Sequence, residues 1–248
     1  MHLSIVIPVY NESKKIVYDI EAAAHFLEQA NFEGEILVVD DGSTDDTAAI
    51  AAAVAAATAA NVRIPSATKL RVLRNDQHHG KGFAVRAGIM QSHGEFVMFA
   101  DSGLPVPYEN ALRGLRLLQN GGCELAHASR KLPESVIHRQ QPWQRRLFSI
   151  LFRWLAILFL KIPARLTDTQ CGFKIYRGEI ARELFEGGFT EGFMFDIEII
   201  LRAQQRGYRI QEFPIDWTCD PDSRLSVTRS PWHILRELIE IKRKIVDA

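Results

Sequence analysis

The sequence predicts an α/β fold built on a mainly parallel sheet with helices on both faces. Three observations predict it. Short β-branched runs alternate with longer segments of helical period through the first half of the chain. The first four of those runs each end in a cluster of polar residues, as strands do when their carboxyl ends form one ligand-binding rim. A chain of 248 residues, 47% hydrophobic and 24% charged, can also bury a large core in one domain.

Taken in order, "LSIVIPV" (3–9) reads as a buried strand, and residues 14–30 as a helix with Ile16, Ile20, Ala23, Ala24 and Leu27 at helical spacing. "EILVVD" (35–40) is a second strand. "GSTDDT" then signals a helix start, and an alanine-rich helix runs to about residue 60, since alanine at 48–60 favours helix and close packing. Strand "LRVLRN" (70–75), helix 81–92, strand "EFVMFAD" (95–101), helix 108–120 and strand "CELAHASR" (123–130) continue the rhythm. After residue 130 it changes. A loop with Pro133 and Pro142 leads into a long apolar helix over 143–161. A short strand near 171–176, a helix at 195–206, a strand "YRIQEFPIDW" (208–217) and a C-terminal helix from about 231 complete the chain. No repeat or flexible linker interrupts it, so a single domain over 1–248 is expected, with a specialised second half from 131.

Thirty basic residues cancel thirty acidic ones, so no global field favours nucleic acid. Cys123, Cys171 and Cys219 lie far apart with no CxxC pair, which implies neither a zinc site nor a disulfide framework. A reducing, cytosolic compartment is the simpler expectation. The opening "MHLSIVIPVYNES" has too short an apolar run for a signal peptide. No stretch reaches the ~18 uninterrupted apolar residues of a spanning helix; the nearest, 147–162, is broken by Arg153 and Lys161. Residues 143–162 still combine Trp143, Phe148, Phe152, Trp154 and Phe159 with Arg145, Arg146, Arg153 and Lys161. An apolar, aromatic helix edged with basic residues fits a membrane interface, and a core helix or dimer interface fits the same pattern.

Strand one ends in Pro8-Val9-Tyr10-Asn11-Glu12 and strand two in Asp40-Asp41-Gly42-Ser43. Strand three ends in Asn75-Asp76, followed by His79-Gly80-Lys81-Gly82, and strand four in Asp101-Ser102-Gly103. Each alone reads equally well as a capped turn; four on one rim point to a ligand site. In "HHGKGFAVRAG" (78–88), free N–H groups at a helix start attract anions, so a phosphate beside Lys81 and a plain N-terminal turn both account for the pattern. Neither GxxxxGK[ST] nor GxGxxG occurs. Asp101 at the lip of the sheet suits a metal ion, but the second carboxylate expected two residues later is Gly103.

"SIVIPVYNES", "ILVVDDGSTDDT", "RNDQHHGKGFAVRAG" and "FADSG", in this order and spacing, resemble family-2 glycosyltransferases of the GT-A fold. "SR" (129–130), "DTQCGFKIYR" (168–177), "FMFDIEIILRA" (193–203) and "PIDWT…DSRLS" (214–226) resemble the polyprenyl-phosphate branch. Dolichyl-phosphate β-glucosyltransferases are the nearest likeness, with dolichyl-phosphate mannosyltransferases as relatives. The resemblance implies a Rossmann-like nucleotide-sugar half (1–130) and an acceptor half (131–248). Pro8, Tyr10 and Glu12 would border base and ribose, Asp40 would hold the base, and Asp41 and Ser102 would join the binding set. Lys81 would lie near the base or diphosphate, and Asp101 would stand for the first acid of the family's Asp-x-Asp, binding Mg2+ or Mn2+. Arg130 would sit in the donor or acceptor pocket, and Gln170, Gly172 and Lys174 would line the sugar and acceptor pocket. Asp196 and Glu198 would face the reacting centre, and Arg224 would close over the diphosphate.

The implied reaction is an inverting transfer of a hexose from UDP-glucose or GDP-mannose to a polyprenyl phosphate. Glucose is favoured by the "DWT…SRL" stretch. The implied setting is the cytoplasmic face of a membrane, with peripheral contact through 143–162. Asp101, Asp196 and Arg224 are the catalytic candidates. A lipid phosphate, with a second pKa of ~6, arrives largely ionised and needs no strong base, so Asp196 would orient it. A hydroxyl acceptor would make Asp196 the base. An exposed helix start favoured by its dipole also accounts for Asp196 and Glu198. A transferase with a soluble or glycan acceptor, and a weakly active nucleotide-sugar-binding subunit, are the alternatives. Gly103 implies weak metal binding without nucleotide, greater reliance on Lys81 and Arg224, and a gain in Mn2+ binding in the presence of nucleotide on Gly103→Asp; Asp220 or Asp222 could approach the metal from the late loop.

Overall fold

The structure, a computed structural model, describes residues 2–56, 64–139, 153–219 and 231–247. A seven-stranded sheet runs through both halves in the order β3-β2-β1-β4-β7-β5-β8. Strands β1 (His2–Val9), β2 (Glu33–Asp40), β3 (Thr68–Arg74) and β4 (Phe96–Ala100) are mutually parallel. Helices α1 (Ile16–Gln29), α2 (Thr47–Ala55) and α3 (Lys81–Met90) connect them. The parallel register, Ile5 beside both Ile36 and Met98, brings all four carboxyl ends to one edge. Sequence order reverses between β1 and β4, and such a switch point opens a crevice at the strand ends.

A 3-10 turn (Tyr108–Asn110) leads into α4 (Ala111–Gln119), and β5 (Leu125–Ser129) follows. The second half inserts β7 (Phe173–Arg177) antiparallel between β4 and β5, and β8 (Ile210–Pro214) beside β5. Residues 153–160 are helical (α5) and lie within the apolar stretch 143–162, whose first ten residues fall outside the described residues. Helices α6 (Gly178–Phe185), α7 (Phe195–Gln205) and α8 (Pro231–Ile241) complete the chain, with a π-helical turn at Lys242–Val246. The sheet is buried on both faces because alternate side chains enter different cores. Leu3, Ile5 and Ile7 pack with Ile16, Ala51 and Leu115, whereas Val6, Val97 and Phe99 pack with Val85, Ile197 and Leu201. All three cysteines are buried and none is in a disulfide.

The structure departs from the expected elements in four places. The strand expected over 208–217 divides at Ile215, because Pro214 has no N–H to continue a ladder and the Ile215 N–H donates to Ser135 Oγ at 3.2 Å. Its second piece, β9 (Asp216–Thr218), pairs instead with β6 (Val136–Arg139), a strand not expected. Helix α6 was not expected either; β7 runs into it with no loop, and Arg177 offers no side-chain cap. The alanine-rich helix ends at Ala55 rather than near residue 60, and residues 57–63 lie outside the described set.

Candidate active site

The rim begins with two loops knitted together. Asn11, in the left-handed region at φ 52, accepts hydrogen bonds from the N–H groups of Thr44 and Asp45 at 2.7 and 3.3 Å. Its own N–H donates to Ser43 Oγ, and the Glu12 N–H donates to Thr47 Oγ1, both at 2.8 Å. Pro8 is half-buried beside Val39 in the ladder. Tyr10 stacks on His78, ring centroids 4.0 Å apart. Asp40 is fully buried; both its oxygens accept the Ser43 N–H at 3.3 Å, and Arg74 Nε lies 3.6 Å away.

Asp41 takes part of the helix start of α3, where free N–H groups were expected. Its carboxylate takes the N–H groups of His79 and Gly80 at 3.2 and 2.7 Å, Asn75 Nδ2 at 2.9 Å, and His78 Nδ1 at 2.7 Å. The Phe83 N–H donates to the Glu191 carbonyl at 3.2 Å. The protein thus takes two of the N–H groups at this helix start, those of Gly80 and Phe83, with its own side chain and a neighbouring loop. The Lys81 side chain points elsewhere.

At the exit of β4, Lys81 Nζ lies 2.5 Å from Asp101 Oδ1. Asp101 Oδ1 is a buried oxygen that faces this ammonium group. Beside it, Lys174 from β7 is fully buried, with Nζ 2.5 Å from Asp196 Oδ1 and 2.9 Å from the Cys171 carbonyl. Both ammonium groups lie over the Phe99 ring, at 5.8 and 5.4 Å from its centroid. Burial works against the Lys81 charge, but Asp101 and then Asp196 outweigh it and hold its pKa above the usual lysine value. Burial raises the Asp196 carboxyl, opposed by Lys174 and Lys81. His127, opposite Lys174 on β5, is pushed well below its usual value by burial and then by Lys174, and stays neutral. The result is two carboxylates and two ammonium groups in alternation, each cation beside an anion.

Arg130 and Asp168 form a bidentate pair at 2.6 and 2.8 Å, with Arg130 5.4 Å from the Trp217 ring centroid. Burial disfavours the Asp168 charge, yet Arg130 holds its carboxyl down at about 2. Glu212 on β8 fixes that loop by accepting the Thr167 and Asp168 N–H groups at 2.8 Å. Gln170 Nε2 donates to the Phe193 carbonyl at 3.4 Å. A Cβ on Gly172 would run into the Asp101 carboxylate, and the Asp101 N–H donates to the Gly172 carbonyl at 2.9 Å. Glu198 turns to the α6–α7 loop, taking the Phe189 and Thr190 N–H groups at 3.2 and 2.8 Å, with Arg202 Nε at 2.9 Å. Arg224, Asp220 and Asp222 lie outside the described residues.

Ser102 and Gly103 face a residue the motif reading passed over. Ser102 Oγ donates to Asp19 Oδ2 at 2.5 Å and the Gly103 N–H to Asp19 Oδ1 at 2.8 Å. Asp19 lies on the apolar face of α1, between Ile16 and Ala23, and an acid at that helical position was its only sequence signal. Asp168, within the "DTQCGFKIYR" motif, was likewise not singled out; an acid in that run was its signal. Gly103 sits at φ 88, so an aspartate there strains the turn, and the expectation of simply restoring a second acid is corrected. Among the described residues no three His, Cys, Asp or Glu side chains are grouped to hold a metal ion. The buried Asp101 Oδ1 still fits an ion that draws its remaining ligands from a diphosphate and water, provided Lys81 yields the oxygen.

A family model described as "Glycosyl transferase family 2" matches residues 4–185. The dolichyl-phosphate beta-glucosyltransferase of Homo sapiens is 33% identical over 233 residues, covering 90% of this chain and 69% of that protein. That of Dictyostelium discoideum is 28% identical over 255 residues, covering 98% and 74%. Among solved structures, glucosyl-3-phosphoglycerate synthase from Mycobacterium tuberculosis, in complex with Mn2+, uridine diphosphate and glucosyl-3-phosphoglycerate, matches with a TM-score of 0.63 at 19% identity. It covers 99% of this chain and 77% of that one.

Proposed function

The chain belongs to glycosyl transferase family 2, and on that premise we propose that it transfers glucose from UDP-glucose to a polyprenyl phosphate, with inversion at the sugar carbon. It is a glycosyltransferase with the GT-A fold. Relatives named for dolichyl phosphate and glucose, similar along nine-tenths of the chain, support the substrate class.

The observation that carries the acceptor class is the pairing of Asp196. Its Oδ1 already meets the Lys174 ammonium at 2.5 Å, and the pair is shut away from water. A hydroxyl acceptor needs a base aimed at its proton, and one of the two Asp196 oxygens is already committed to Lys174. A phosphomonoester is already ionised around its second pKa of ~6 and needs cations and alignment instead. In the proposed reaction, Lys174 keeps Asp196 fixed, and Asp196 orients the acceptor. Lys81 moves its charge from Asp101 to the departing diphosphate. Arg130, braced by Asp168 and flanked by Trp217, borders the acceptor side. Asp101 would hold a Mg2+ or Mn2+ ion, which supplies charge neutralisation to the leaving group when bound. Tyr10, Pro8, Glu12 and Asp40 border the nucleoside.

Membrane contact belongs to the same proposal. Helix α5 exposes Trp154, Leu155 and Leu158, the last at 77%. Lys242 sits 4.3 Å from the Phe159 ring centroid on the same helix, which brings a basic group beside it. No described helix is long and apolar enough to cross a membrane.

A thermal-shift panel of UDP-glucose, UDP, GDP-mannose and GDP, each with and without Mn2+, tests the donor. A ligand at 100 times its dissociation constant adds about 2.7 kcal/mol to the folded state. The expected outcome is a shift with UDP-glucose that Mn2+ enlarges. A shift with the guanosine ligands alone would overturn the donor assignment.

A further inference from the structure

We propose that Asp19 is a positioning residue for the transfer reaction: from α1, its carboxylate holds the turn at 102–104 and thereby aims Asp101 at the donor diphosphate. The inference rests on the functional reading above. Asp19 is 1% exposed and shares a helix face with Ile16, Ile20 and Ala23, where a carboxylate is costly unless its oxygens find donors. Its donors come from consecutive residues of one turn. Ser102 Oγ reaches Oδ2 at 2.5 Å, the Gly103 N–H reaches Oδ1 at 2.8 Å, and the Leu104 N–H also favours the ionised form.

That turn is one the backbone would not choose unaided. Gly103 and Leu104 are both left-handed, at φ 88 and 49, and leucine has no intrinsic reason to be there. Strained backbone persists only where its surroundings over-determine it, and Asp19 is the group that gathers these N–H donors. Asp101 directly precedes the turn. Its N–H is fixed on the Gly172 carbonyl and its Oδ1 on Lys81, so the chain is clamped on both sides of the acid. Burial, offset by those donors and reinforced by Glu12, leaves the Asp19 carboxyl at about 6, well above the usual value of 3.8. Tyr108, packed nearby, feels both Asp19 and Asp101. An acid kept ionised at such expense fits a role in holding the turn rather than in stabilising the core.

The test uses the full chain as wild type, Asp19→Asn, Asp19→Ala and Ser102→Ala. Each is assayed for UDP affinity by calorimetry with and without Mn2+, for kcat and KM with UDP-glucose, and for thermal midpoint. The expected result is a loss of Mn2+-dependent UDP affinity of threefold or more in Asp19→Asn, larger in Asp19→Ala and in the same direction in Ser102→Ala. The thermal midpoint of Asp19→Asn at alkaline pH should not fall, a combination a merely structural role would not give. A change below threefold in both Asp19→Asn and Ser102→Ala overturns the proposal, even if Asp19→Ala fails to fold. A wild type that binds no UDP counts against the functional reading itself. A wild type that binds UDP beside unchanged variants counts against Asp19 alone.

Discussion

Asp19 sets a pH dependence that its position on α1 explains. Its folded pKa of about 6 exceeds the usual 3.8, so the folded state holds that proton more tightly than the unfolded chain does. Its contribution to stability is complete below the unfolded value and is lost as pH rises through about 6, roughly 3 kcal/mol at most over that window. Urea unfolding of Asp19→Asn should therefore show a shallower decline between about pH 4 and pH 7 than the wild type. Lys174 makes the opposite case. Lys174→Met would leave the buried Asp196 carboxyl without its partner, at an expected cost of about 3–5 kcal/mol. Adding Asp196→Asn should recover part of that loss, which a double-mutant cycle in urea would measure. Lys81, Asp101, Lys174 and Asp196 were all legible as candidates from their motifs. Their pairing was not, because it depends on which strands become neighbours.

Elements bring those residues together. Lys174 stands opposite Phe99 only because β7 runs antiparallel to β4, a direction no residue pattern encodes. The parallel first half was legible, since β-branched runs separated by helices admit few other arrangements. Helix α6 was hidden because it lacks a Ser, Thr, Asp or Asn cap and follows β7 without a turn. Gly172, just before β7, tests the approach of the two strands. Gly172→Ala should push the Asp101 carboxylate aside, with a stability loss of about 1–3 kcal/mol. UDP-glucose turnover should fall further than stability alone explains, and kinetics beside thermal unfolding would separate the two.

On the scale of the molecule, formal charge is balanced while basic and apolar groups concentrate around α5 and the C-terminal turn. Replacing Trp154, Leu155 and Leu158 with serine should reduce cosedimentation with vesicles of phosphatidylcholine and phosphatidylserine while leaving UDP binding intact. Added salt should weaken the wild type's binding as well. The measurement that bears most directly on the central claim is transfer of radiolabelled glucose from UDP-glucose to polyprenyl phosphate, extracted into organic solvent, by wild type and Asp101→Asn with Mn2+ present. The account predicts label in the lipid phase with the wild type and a drop of about a hundredfold or more in the variant. Label that never leaves the aqueous phase, or an Asp101→Asn enzyme as fast as the wild type, would contradict it.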